Sequence, residues 1–191
     1  MTTPTLCRRH ALAWFAAAAC LPAFAGPDLP GDSLYRLNPH LTDQDGHPFA
    51  LDSVRGGPVL ISMFYSSCEM VCPVLFETIA QTLKALPAHE RQRVKVLMIS
   101  FDPARDTVAV LNRTADAHGC DARWTLLRTD DGNARKIAAL LGVQYRRLAS
   151  GEYKHSSTIE LLDAAGRIAA RSGLLGTVDP ALVKALRQAF A

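Results

Sequence analysis

Beyond its first 25 residues the chain carries no block of like charge, no internal repeat and no low-complexity segment. The lack of a basic run, with a formal net charge of only +3, removes the electrostatic argument for nucleic acid or an anionic membrane surface as partner. Cysteine is scarce: of five, Cys7 and Cys20 fall in the N-terminal stretch, leaving Cys68, Cys72 and Cys120. A disulfide scaffold needs pairs spread along the chain, and one close pair with a leftover is not that.

The N-terminus shows what the rest lacks. Arg8, Arg9 and His10 form a basic head, Ala11 to Cys20 is uncharged and apolar, and Ala23-Phe24-Ala25 has the small-x-small form of a signal peptidase site. This reads as a cleaved secretory signal over residues 1–25, and so as an exported, periplasmic protein. A retained anchor would need about 20 apolar residues, whereas Pro22 breaks the run and Asp28 follows it. A twin-arginine signal at Arg8-Arg9 and a lipobox ending at Cys20 match less well, because Ala11 and Ala17 stand where larger apolar residues are usual. Cleavage removes Arg8 and Arg9 and leaves 19 basic against 18 acidic residues, a net +1, with no segment set for strong membrane insertion. Residues 26–33 read as a linker and 34–191 as one domain.

Within that domain, Leu34 to Leu51 reads as two short strands about the turn dipeptide Asp45-Gly46. Pro58 to Tyr65 is a nearly continuous apolar run, suited to a strand covered on both faces. Pro73 to Leu86 has helical periodicity. A second buried strand, Val94 to Phe101, precedes a helix over Thr107 to His118 with Asp106 or Thr107 as cap. A third strand, Trp124 to Leu127, precedes a helix ended by Gly142. Ser156 to Leu162 and Arg167 to Arg171 flank a turn at Asp163 to Gly166, and a last helix opens at Asp179-Pro180. Alternation of strands and helices followed by a hairpin predicts an α/β fold with a central mixed sheet flanked by helices.

Cys68 and Cys72 stand four apart where the first buried strand gives way to a helix, the arrangement of a thioredoxin-like fold. With a helix starting near Cys72, backbone N–H groups and the helix dipole favour that residue's thiolate. Such a pair can close a disulfide or hold a soft metal ion. Asp102 or Arg105, at the carboxyl end of the second buried strand, could touch the site, but the favoured reading is a buried ion pair in a turn. His10, His40, His47, His89 and His118 show no partner pattern. The peroxidase pattern of the same fold is absent, since Ile61 and Tyr65 occupy its Pro and Thr positions. Zinc on two cysteines and a histidine is chemically allowed.

Three motifs in order, Cys68-x-x-x-Cys72-Pro73, Asp102-Pro103-x-Arg105-Asp106-Thr107, and His155 before a strand ending Leu162-Asp163-x-x-Gly166-Arg167, resemble the SCO/SenC family over Leu37 to Gly166. The resemblance implies a thioredoxin-like metallochaperone that binds copper, Cu(I) or Cu(II), through Cys68, Cys72 and His155. It implies delivery to the binuclear copper site of a cytochrome c oxidase or to another cuproenzyme. It also implies, as the alternative, a thiol–disulfide oxidoreductase that uses Cys68 and Cys72 on such a partner and is served by a thiol reductant or thioredoxin-like protein. The sequence departs from the family at Lys154, where an acidic residue is common, and Cys120 lies outside the pattern.

Overall fold

The computed structural model describes residues 29–190; the expected signal sequence and residues 26–28 of the expected linker lie outside the described residues. A 3-10 turn at Leu34–Arg36 leads into β1 (Leu41–Asp43) and β2 (Pro48–Phe49), and a second 3-10 turn follows at Leu51–Val54. Then come β3 (Val59–Phe64), α1 (Val71–Lys84), a single turn α2 (Ala88–Arg91), β4 (Lys95–Ser100), α3 (Val108–Ala117), β5 (Trp124–Arg128) and α4 (Asp131–Leu141). The chain ends in β6 (Tyr145–Arg147), β7 (Tyr153–His155), β8 (Ile159–Leu162), β9 (Ile168–Ser172) and α5 (Pro180–Gln188). Among the described residues no helix is long and apolar enough to cross a membrane.

Seven strands form one sheet in the order β2-β1-β5-β4-β3-β8-β9. The centre is parallel, with β3 beside β4 and β4 beside β5, while β1 and β8 run antiparallel at either side of that centre. Every residue of β3 is buried, as a nearly continuous apolar strand covered on both faces requires, and its one polar side chain, Ser62, donates to the Thr158 carbonyl. This is the mixed, thioredoxin-like sheet anticipated from the strand–helix alternation. Two expected caps behave as written: Thr107 accepts from the Val110 N–H, and Asp179 caps α5 with Pro180 at its first position; α4 has a cap that was not anticipated, Asp130, which accepts from the Asn133 N–H. Gly142 ends α4 in the left-handed region at φ 70°.

Three local expectations are corrected. The first hairpin is much shorter than Leu34 to Leu51, because consecutive Leu34 and Tyr35 are both buried and so cannot alternate as a strand does. Their 3-10 turn is capped by Ser33 and packs on the β8–β9 turn, where the Leu34 N–H donates to the Gly166 carbonyl. Gly166 is required there: φ is +81°, and a Cβ would lie 2.5 Å from the Tyr35 ring. The second correction is the start of α1 at Val71 rather than Pro73. Pro73 is tolerated in the first turn because the N–H it lacks would have no partner within the helix. The third is an unforeseen ribbon, β6 paired with β7, separate from the main sheet. Its strands of three residues are too short to show a period.

Candidate metal centre

β3 delivers the chain to the carboxyl edge of the sheet, where Tyr65 to Met70 form a loop and α1 turns back across it. Because α1 begins at Val71, Cys72 lies inside the first helical turn and Cys68 sits in front of it. The Cys72 N–H donates to Cys68 Sγ at 3.3 Å. Cys68 is therefore the thiol that receives the free N–H groups of the helix end. Burial pushes its pKa up, but the Cys72 and Met70 N–H groups, His155 and the Cys72 thiol outweigh this and bring it down to about 7. Cys72 is 3 % exposed, and burial, with the negative charges of Cys68 and Asp106, pushes its pKa well above the usual thiol range. The thiolate expected at Cys72 belongs to Cys68 instead, because the helix starts two residues earlier.

His155 ends β7 and places Nε2 4.0 Å from Cys68 Sγ. Its Nδ1 lies 3.2 Å from both the Ser156 carbonyl and the Ser157 hydroxyl. A carbonyl can only accept, so this geometry puts a proton on Nδ1 and turns Nε2 toward the thiols, where it offers a lone pair to a metal in the neutral ring and an N–H to the Cys68 thiolate in the protonated one. Tyr65 meets the imidazole edge-on at 5.5 Å, and Phe101 lies 5.4 Å away, so the ring is clamped by aromatic packing. The one ligand atom each of Cys68, Cys72 and His155 lie within 4.8 Å of one another. A trigonal ion with bonds of about 2.0–2.3 Å would hold such donors about 3.8–4.0 Å apart. Two sulfurs and one imidazole nitrogen form a soft set that suits Cu(I) and admits zinc.

Behind the ligands lies support that the sequence only half disclosed. Asp106, read as a possible helix cap, leaves capping to Thr107 and is fully buried. Its carboxylate accepts from the Ser66 N–H (3.3 and 3.2 Å) and from the Ser66 and Ser100 hydroxyls. It thus ties the thiol loop after β3 to the end of β4, and each donor satisfies a charge that would otherwise be costly to bury. Asp102 and Arg105 form the expected ion pair. That pair also reaches the site: the Tyr153 hydroxyl donates to Asp102 Oδ1 at 3.3 Å, and Arg105 lies 3.6 Å from Glu152. Tyr65 donates to Glu152 at 2.8 Å. At the level of sequence Tyr65, Glu152 and Tyr153 carry no role at the site. The available signal was alternation, which puts Tyr153 on the same face of β7 as His155.

A cleft of about 510 Å³ opens onto this assembly, lined by Cys68, Glu69, Met70, Glu152 and His155 among others. Cys120 lies outside the cluster, and burial together with Asp121 pushes its pKa up to about 12. His118 stacks on Phe76 at 4.1 Å, as a histidine without a partner pattern can. His47 departs from that expectation: it lies at the surface with its ring nitrogen and the carboxylates of Asp43 and Asp45 within 4.8 Å of one another, a second group with metal-ligand spacing, far more open than the first.

The family described as SCO1/SenC matches residues 33–188. The chain is 34% identical over 133 residues to an SCO2-like protein of Rickettsia felis, covering 66% of this chain and 63% of that one. It spans less than two thirds of the curated relatives it matches. Among solved structures, ScoI of Bradyrhizobium japonicum with copper bound superposes with a TM-score of 0.66 at 27% identity, over 78% of this chain and 96% of that one. A SCO1/SenC family lipoprotein of Bacillus anthracis superposes with a TM-score of 0.72 at 21% identity, over 80% and 92%, a likeness of fold.

Proposed function

The chain belongs to the SCO1/SenC family, and from that premise we propose that it is an exported, periplasmic copper-binding protein that passes copper to a cuproenzyme. The recipient we propose is the binuclear copper site of a cytochrome c oxidase. The observation that carries this reading is the convergence of Cys68 Sγ, Cys72 Sγ and His155 Nε2 within 4.8 Å, with Nδ1 engaged behind the ring. Copper is cargo here. Cys68 and Cys72 hold it as thiolates, His155 completes three-coordination, and a low coordination number leaves room for incoming ligands from the acceptor. Support for a copper assignment over zinc comes from the copper-bound ScoI structure.

A second reading has its own support. The two sulfurs are close, and Cys68 titrates near neutrality at the wall of an open cleft. These are the properties of an attacking thiol with a resolving partner in thiol–disulfide exchange. Closing that disulfide removes both sulfur ligands, so oxidation and copper release are linked.

The deciding experiment is an anaerobic Cu(I) titration of reduced residues 26–191 against a competing chelator, with and without His155→Ala. One-to-one binding that weakens at least about tenfold in the variant, the loss of one ligand, supports the chaperone. Weak binding indifferent to His155 transfers the function to the dithiol.

A further inference from the structure

In the ribbon, Tyr145 pairs with His155, Arg146 with Lys154, and Arg147 with Tyr153. Directly opposed residues share a face, and successive pairs alternate between faces. Tyr145, Tyr153 and His155 all contact Phe101, so their face is turned to the core. Arg146 and Lys154 are therefore thrown outward together, and both are exposed. Two cations directly opposite each other repel. Among the described residues no ion pair relieves either one. The nearby acids are engaged elsewhere: Glu152 by Tyr65 and Arg105, and Asp131 by Arg135.

Arg146 and Lys154 line a second cleft, about 520 Å³, and His155 lines it too. The histidine is thus a wall between this basic cleft and the one that holds Cys68. A protein that exchanges metal with the site must reach His155, and in doing so it covers the ribbon. Covering two uncompensated cations is unfavourable unless the partner supplies carboxylates.

We propose that the outer face of the β6–β7 ribbon, through Arg146 and Lys154, is the docking surface for a partner protein whose own thiol metal site is rimmed by acidic residues. This rests on the metal-exchange reading and names the chemistry of its partner. Exchange then balances simply: the bonds from Cu(I) to Cys68, Cys72 and His155 break, two bonds to partner thiolates form, and the partner's thiol protons pass to Cys68 and Cys72. Copper keeps its oxidation state.

Two short synthetic peptides carrying the same pair of cysteines test the surface, one flanked by Asp and Glu, the other by Ser and Gln. Their binding to the metal-free, reduced protein is read by fluorescence anisotropy, and Cu(I) transfer to them by stopped flow. At low ionic strength the acidic peptide should bind about fivefold tighter and accept copper faster, with the preference fading toward physiological salt. Arg146→Ser/Lys154→Ser should abolish that preference while leaving Cu(I) affinity within about twofold. Lys84→Ser/Arg91→Ser, which removes the same charge elsewhere, should keep it. Equal binding of the two peptides, or a preference that survives the ribbon variant, overturns the proposal and leaves the cations as a charged edge that resists aggregation. Loss of the preference to inorganic phosphate, but not to chloride of equal ionic strength, also overturns it, in favour of a small-anion site. The anisotropy needs no copper, so failure of Cu(I) binding would sink the functional reading without deciding this one.

Discussion

Alkylation of the metal-free, reduced protein by iodoacetamide should single out Cys68 and follow a titration near neutral pH. An ordinary thiol with a pKa of 9.0 is about 1% ionised at pH 7, whereas Cys68, at about 7, is about half ionised. That is roughly a 50-fold gain in thiolate, offset because nucleophilicity falls with pKa at a slope of about 0.4–0.5. Over two pH units the offset is about six- to tenfold, so the net advantage at pH 7 is about five- to eightfold. Raising the pH through 7 should raise the Cys68 rate to a plateau, since the thiolate is the reactive form. Cys72 is buried with its pKa pushed upward, and should stay nearly unlabelled over the same range. Labelling at timed intervals, with each site assigned by peptide mass spectrometry, reads both curves. His155→Ala should move the Cys68 midpoint upward, because one of the groups favouring its thiolate is lost. A Cys68 midpoint at or above 8.5, or preferential labelling of Cys72, would refute the assignment of the helix-end N–H groups to Cys68.

Asp106→Ala should destabilise the apo protein by about 3 kcal/mol or more in a urea titration, since a fixed N–H and two hydroxyls lose their common acceptor at about 1–3 kcal/mol each; unchanged stability would show that the thiol loop does not depend on this tie. Gly166→Ala forces a Cβ into the Tyr35 ring at positive φ, and should cost about 2–4 kcal/mol in the same assay. Cys120→Ser should leave Cu(I) stoichiometry unchanged, and in the unaltered protein Cys120 should react with a thiol reagent more slowly than Cys68 at pH 7; loss of metal in the serine variant would place Cys120 in the site.

The frame of this molecule was legible because its signals are strong and local. A nearly continuous apolar run along β3, broken only by Ser62, reads as a strand covered on both faces, and Asp179-Pro180 and Gly142 mark helix ends by stereochemistry that needs no tertiary context. The meeting of Cys68, Cys72 and His155 was anticipated through the order of their motifs, not through geometry: nothing local to Lys154-His155-Ser156 says that its imidazole comes within 4.0 Å of a sulfur 87 positions earlier. What was hidden depended on contacts between distant segments. Asp106 sits next to Thr107, and either side chain can cap a helix; only the approach of Ser66 decides which one turns inward. Pro73 drew the expected helix start two residues too late, and with it the identity of the acidic thiol. The opposition of Arg146 and Lys154, eight residues apart, exists only through the register of a ribbon too short to announce itself.

That ribbon stands apart from the seven-stranded sheet, yet it carries His155, while the cysteines belong to the loop and helix that follow β3 of the main sheet. The centre is thus assembled like a clasp, with two jaws on the frame and the third on a separate tongue. Drawing the tongue away breaks no ladder hydrogen bond of the main sheet; what it gives up is the Tyr153–Asp102 and Tyr65–Glu152 hydrogen bonds and the packing on Phe101. Under the proposed function, that division would let the grip on the ion be released at His155 while the body that carries the thiols stays folded.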